Sequence, residues 1–232
     1  MLGYNDIMKK AFTLAEVLIT LGIIGVVASL TIPTLVNNYR KKQFETGLKK
    51  EYSVLLQALD MYKQDNETPL KKEDTDQSPA EFKNKIKPYL KILVDCGDFQ
   101  SGGYKGQCVR NGYYTQDKKY TYKTYSGNIA NEDFFDDGQI ILNDGSHLLF
   151  ENCGNGNNVF VSIDVNGYNK LPNKWGEDVF TFQLMNDGKL LPMGAEGTIY
   201  ADENTLCSKT SSNRFNGIAC ANRAIYDSSF WK

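Results

Sequence analysis

Three regimes of hydrophobic spacing divide the chain. Residues 12–32 carry a single charge, Glu16, in an otherwise uncharged apolar run that follows the basic pair Lys9-Lys10. At about 1.5 Å of rise per residue, a helix of that length just crosses a hydrocarbon core about 30 Å thick. The run therefore predicts a membrane-spanning helix. Beyond Pro33, the apolar residues Phe44, Leu48, Tyr52, Leu55, Leu59 and Tyr62 recur at steps of three and four, while Arg40, Lys41, Lys42, Lys49 and Lys50 take other positions. This is one apolar stripe on a continuing helix, expected to end near Tyr62, before the polar stretch 63–67 and Pro69. A second helix is signalled at Ser78-Pro79-Ala80-Glu81, with Ser78 as cap, Pro79 at the first helical position and Glu81 closing a capping box. Phe82, Ile86 and Leu90 give it an apolar face, and Pro88 breaks it into two short turns. Residues 95–127 read as a loop rich in Gly, Tyr and Lys. From residue 139 the period changes to two. Residues 139–143 and 146–151 flank Asp144-Gly145 as a hairpin, 159–164 and 179–185 are further strands, and a last hairpin turns at Asp187-Gly188 toward Leu190 and Leu191. Periodicity alone gives an α+β class.

An ionised carboxylate in an apolar spanning helix costs a few kcal/mol unless it reaches the interface or a positive partner, so Glu16 calls for a function. Lys9 and Lys10 as a basic end, Ala11 as a small residue, Phe12, the link Thr13-Leu14-Ala15, Glu16 and then Pro33 form one constellation. It resembles the N-terminus of type IV prepilins and type II secretion pseudopilins, over roughly 50 residues, through Met61. In that family a leader is cut before Phe, and the fifth mature residue is Glu. Ala11 stands where the family usually has Gly.

The resemblance implies cleavage by a prepilin peptidase between Ala11 and Phe12, with methylation of the new Phe12 amine. That ammonium would then pair with Glu16 of a neighbouring helix during assembly. It also implies a pilin-like architecture: a long N-terminal helix packed on an antiparallel meander, with a disulfide-stapled loop and C-terminal region. The expected divisions are 1–11 leader, 12–33 transmembrane and filament-core half, 34–62 amphipathic half, and 63–232 extracytoplasmic domain. Partners would be copies of itself or related pilin-like subunits, the peptidase and a membrane assembly platform. The chain would sit as a single-pass protein in the bacterial cytoplasmic membrane before assembly, and afterwards in a filament in the periplasm or on the cell surface. The alternative is a membrane-anchored binding module for sugar or DNA that does not polymerise. Arg40, Lys41 and Lys42 behind the span favour the inverse orientation by charge count, but long domains translocate largely regardless of flanking charge.

Composition sharpens this only in part. With 41% apolar and 12% aromatic residues, the chain outside the anchor has material for one packed domain. A formal charge of -2 gives no global excess for nucleic acid, which stays possible only through a local patch. The five cysteines lie at 96, 108, 153, 207 and 220. Local pairing of Cys96 with Cys108 and Cys207 with Cys220, leaving Cys153 a free thiol, is the simplest arrangement, although Cys153 can replace any of the four. No two cysteines have the spacing of a zinc arm, and His147 is the only histidine.

Three features carry candidate chemistry. Asp164, Asn166 and Asp178 cluster oxygen ligands around a tight turn, as calcium requires, and some pseudopilins bind calcium in a C-terminal loop; Asx-turn chemistry explains the same residues. The run from Lys118 to Tyr125 interleaves cations and aromatics that could stack on bases or sugars, or form an exposed strand with a half-buried aromatic face. His147 stands without a nucleophile elbow, an HExxH helix or a phosphate-binding glycine loop, so no enzyme is expected.

Overall fold

The computed structural model describes residues 13–75, 78–97, 108, 121–131, 134–153 and 158–232. The fold is α+β and pilin-like: a long N-terminal helix α1 (Leu14–Asn66), then a six-stranded antiparallel sheet whose spatial order matches its chain order. The strands are β1 (Ile92–Gly97), β2 (Gly138–Leu142), β3 (His147–Cys153), β4 (Asn158–Asp164), β5 (Val179–Leu184) and β6 (Leu190–Pro192). Short helices are α2 (Glu81–Ile86), α3 (Glu203–Leu206) and α4 (Cys220–Tyr226). The chain divides into two compact units, one ending at Arg40 and one running from Lys41 to Lys232.

In the second unit, strands β2, β4 and β5 are buried almost end to end. Alternate side chains therefore enter two cores rather than one core and solvent. Ile140, Leu148, Phe150, Val161, Ile163, Phe180 and Phe182 join Leu48, Leu55 and Leu59 of α1, with Phe82 and Ile86 of α2. Leu149, Phe160 and Val179 instead meet Tyr122, Phe134, Phe135, Trp175, Met193 and Ile218. Each fully buried Leu, Ile or Phe contributes about 1.5–3 kcal/mol.

Several boundaries differ from expectation. Helix α1 continues to Asn66, because Lys63, Gln64 and Asp65 are all compatible with a helix and only Glu67, at φ +58, leaves it. Ser78 is not a cap: α2 starts after Ala80 with no side-chain cap, and the Ser78 carbonyl accepts the Glu81 amide at 3.1 Å. Pro88 does end the helix, in a 3-10 turn over Lys87–Tyr89. Residues 92–97 form β1, which pairs with β2 through two register shifts; those irregularities hide the alternation that marks a strand. Cys96 and Cys108 are joined, as are Cys207 and Cys220, while the Cys153 side chain lies outside the described residues.

The β2–β3 turn and the β4–β5 loop press together. Gly167 has φ +81, and a Cβ on it would stand 2.4 Å from the Gly145 carbonyl oxygen. Gly127 has φ +94 but open space around it. Gly127→Ala is therefore expected to cost about 1 kcal/mol from backbone strain alone, and Gly167→Ala about 2–3 kcal/mol or more. Urea unfolding of the detergent-solubilised chain checks this, and equal costs would show that the two loops are not in close apposition.

Candidate functional site

The first half of α1 is apolar and unburied. Leu14, Leu18, Ile19, Leu21, Ile23, Ile24, Val26, Leu30 and Leu35 are each more than half exposed, so this helix is not the core helix of a soluble fold. It is long and apolar enough to cross a membrane. Its hydroxyls turn inward on the backbone: Thr20 donates to the Val17 carbonyl (2.9 Å), Ser29 to Val26 (2.8 Å) and Thr31 to Val27 (2.9 Å). Such bonds satisfy these three hydroxyl donors within the helix itself. At Gly22 and Gly25 a Cβ would meet nothing within 4 Å, so packing within the chain does not require glycine there.

Ala11 and Phe12 lie outside the described residues. Glu16 has a partner in its own chain. Its Oε2 accepts the Thr13 amide and the Thr13 hydroxyl, both at 2.8 Å, and its own amide donates to Thr13 Oγ1 at 3.2 Å. Thr13-Leu14-Ala15-Glu16 thus closes a capping box at the start of α1, a local role that the Thr-x-x-Glu spacing spells out.

In the second half of α1, the apolar stripe buries Phe44, Leu48, Leu55, Ala58 and Leu59. It also buries Glu51, only 2% exposed, three residues after Leu48 and four before Leu55. Sequence reading passed over Glu51, although its place on the stripe marks it. Burial pushes its carboxyl up to about 7, with the neighbouring Asp144 adding to the rise and Lys50 opposing it.

On the opposite face of the sheet, Asp164 and Asp178 are both fully buried. Asp164 accepts the Tyr122 hydroxyl (2.9 Å) and the amides of Gly167 (2.9 Å) and Asn166 (3.3 Å). Asp178 accepts the amides of Asn173 (2.9 Å) and Lys174 (2.7 Å). Burial, and for Asp178 the charge of Asp164 as well, raises both carboxyls above their usual range. Asn166 donates to the Lys170 carbonyl (2.8 Å), while its buried side-chain oxygen has no hydrogen-bond partner. The three residues singled out as oxygen ligands thus close one loop, and their donor chemistry fits a hard cation such as calcium.

The Lys118–Tyr125 run separates in the same region. Residues 118–120 are outside the described set; Tyr122 and Thr124 point inward, leaving Thr121, Lys123 and Tyr125 half-buried. The Tyr125 ring lies under Lys174 and Lys209, 5.7 and 5.9 Å from their amines, so it is occupied by its own chain's cations. His147 is buried, and burial lowers it to about 4, which keeps it neutral at pH 7. A further acidic group, Asp136, Asp137 and Glu151, brings carboxylate oxygens within 4.8 Å of one another. Sequence spacing gave no sign of it, because β2–β3 pairing assembles it.

Parts of the chain are similar to Type II secretion system core protein G of Pectobacterium carotovorum subsp. carotovorum, at 39% identity over 64 residues, covering 28% of this chain and 40% of that protein. The protein of the same name from Escherichia coli (strain K12) is 41% identical over 58 residues, or 25% and 39% of the two chains. The protein of that name from Aeromonas hydrophila is 40% identical over 58 residues, or 25% and 40%. The chain thus spans about two-fifths of the length of these relatives. No solved structure matches. A family model covers residues 34–193, the second half of α1 and the sheet together, and on that match the chain belongs to the family of unknown function DUF6613.

Proposed function

We propose that this chain is a structural, non-catalytic filament subunit of the pseudopilin type. It enters the bacterial cytoplasmic membrane through the first half of α1, is cut between Ala11 and Phe12 by a prepilin peptidase, and is methylated on the new amine. It then polymerises outside the cytoplasm with copies of itself or related subunits on a membrane assembly platform. The observation that carries this reading is the exposed apolar helix with one carboxylate near its start. The partial similarity to type II secretion core proteins supports it. A membrane-anchored binding module for sugar or DNA is the second reading, favoured by one fact: the capping box gives Glu16 a purpose without any neighbour.

The processing step predicts a mature chain that begins at Phe12 with a methylated amine. N-terminal mass analysis of membrane material from cells with an active peptidase checks it, and recovery of full-length chain alone rejects it.

Glu16→Gln separates the two readings of the acid. Glutamine serves a capping box as glutamate does, so α1 and its membrane pool are expected to persist. The charge is gone, however, and the Phe12 ammonium of an adjoining subunit loses its partner in a low-dielectric setting. The ratio of sheared-filament to membrane-pool subunit is expected to fall at least about tenfold, the effect of losing about 1.4 kcal/mol of pairing. An unchanged ratio assigns Glu16 to the cap alone, and no filament pool in the unmodified strain favours the anchored module.

Calcium is proposed at Asp164, Asn166 and Asp178, where it would neutralise two buried carboxylates that have no ion pair among the described residues. Adding calcium to the chelator-treated full chain should stabilise it by about 2–3 kcal/mol at a hundredfold excess over Kd. Asp178→Asn should abolish the increment. With no increment in the unmodified chain, loop closure is the whole role of these residues.

A further inference from the structure

Helix α1 is seated on the domain at two neighbouring points. At Gly47 a Cβ would stand 2.3 Å from Val165 Cγ1, so the helix backbone lies close against the β4–β5 loop. One turn later, Lys50 and Glu51 meet the β2–β3 turn. The Lys50 amine lies 3.1 Å from Glu51 Oε1 and also pairs with Asp144. Two carboxyls thus share one ammonium, and they differ in setting: Glu51 is 2% exposed, whereas the Asp144 side chain is 37% exposed. Asp144 is further held by the Ser146 amide (3.0 Å) and hydroxyl (2.7 Å).

We propose that Lys50, Glu51 and Asp144 form a proton-operated latch between the second half of α1 and the β2–β3 turn, closed when Glu51 carries a proton and released when it loses it. In the closed form the Glu51 carboxyl donates to the Asp144 carboxylate, and Lys50 neutralises the single remaining charge. When the proton leaves to water, two carboxylates face one ammonium, and the one on the apolar stripe has no water to solvate it. Repulsion and the cost of an unsolvated charge then push the helix off the turn.

The charges that face Glu51 are Lys50 on its own helix and Asp144 on the turn. The β4–β5 loop offers the apolar Val165 on this side, while its acids Asp164 and Asp178 turn to the Tyr122 side of the sheet. Burial, then Asp144, sets Glu51 at about 7 against an ordinary value of 4.5. Asp144 is held low: burial would raise it, but its neighbours Glu51, Lys50 and Ser146 outweigh burial. A carboxyl raised in the folded state contributes stability that is complete below its unfolded value and lost as pH rises through its folded value. The latch therefore holds in acid, weakens as pH rises from the ordinary value of 4.5, and has lost its proton-linked stability once pH exceeds about 7.

The test uses the full chain in detergent and follows amide hydrogen exchange of residues 44–58, corrected for intrinsic rates, from about pH 5 to about pH 9. Protection of this segment should fall with pH, by up to about tenfold per unit between the ordinary value of 4.5 and about 7, and level off above the Glu51 midpoint. Glu51→Gln, neutral and still a donor to Asp144, should make protection independent of pH while leaving it high. Asp144→Asn removes the anion that holds the proton and should move the midpoint to lower pH. A loss of protection that is the same in Glu51→Gln as in the unmodified chain overturns the latch, as does a segment whose protection never changes with pH. If Glu51→Gln lowers protection at every pH, the packing of the acid rather than its proton is what matters, and the proposal also fails.

Discussion

A sheet whose strands are apolar on both sides has to be covered twice, and this requirement organises the domain. One face is covered by the second half of α1, joined by α2 and α4, with Tyr52 stacked on Phe182 at 4.7 Å between ring centroids. The other face is covered by irregular chain: the segment around Tyr122, the residues near Trp175 and the disulfide-closed stretch ending at Cys220. Helices bring their backbone hydrogen bonds with them, whereas irregular chain has to find them. That difference explains why the second face holds so many buried polar groups. Asp164, Asp178, Asn173 and Asn216 close loop amides and carbonyls that no ladder would satisfy.

The long helix and the four central strands were legible because their spacing is set by burial. Leu48, Leu55 and Leu59 mark a helical stripe, and the Asp-Gly turns fix where strands reverse. Strand β1 was not legible, since its pairing with β2 skips residues at Ile92/Val94 and Asp95/Gly97. Nor does spacing show that the sheet is covered on both faces, because period two looks alike whether the second face meets water or a loop. In the candidate site, Asp164, Asn166 and Asp178 were visible as oxygen-bearing turn residues. Tyr122 as the partner of Asp164 was not, for the contact joins residues 42 apart in sequence. Glu51 was legible in principle, by the same count that located Leu48 and Leu55.

Glu16 and Glu51 set out a contrast within one helix. Both are acids among apolar residues, separated by 35 positions. Glu16 is held from its own N-terminal side by Thr13, in a hydrogen-bonding pattern that needs no tertiary structure. Glu51 depends on tertiary structure, because its neighbour Asp144 is reached only once the β2–β3 turn has formed. The first belongs to helix formation and the second to domain formation.

The C-terminal segment completes both cores. Phe230 packs against each of them, Trp231 lies 5.5 Å from Phe180, and Cys207, Ile218 and Cys220 fill the second face. In chain order these residues follow every strand of the sheet. Without them, both faces of the sheet keep apolar surface uncovered. The Cys207–Cys220 bridge thus fastens a lid that the strands cannot supply for themselves, and its sulfurs are part of the core that it closes.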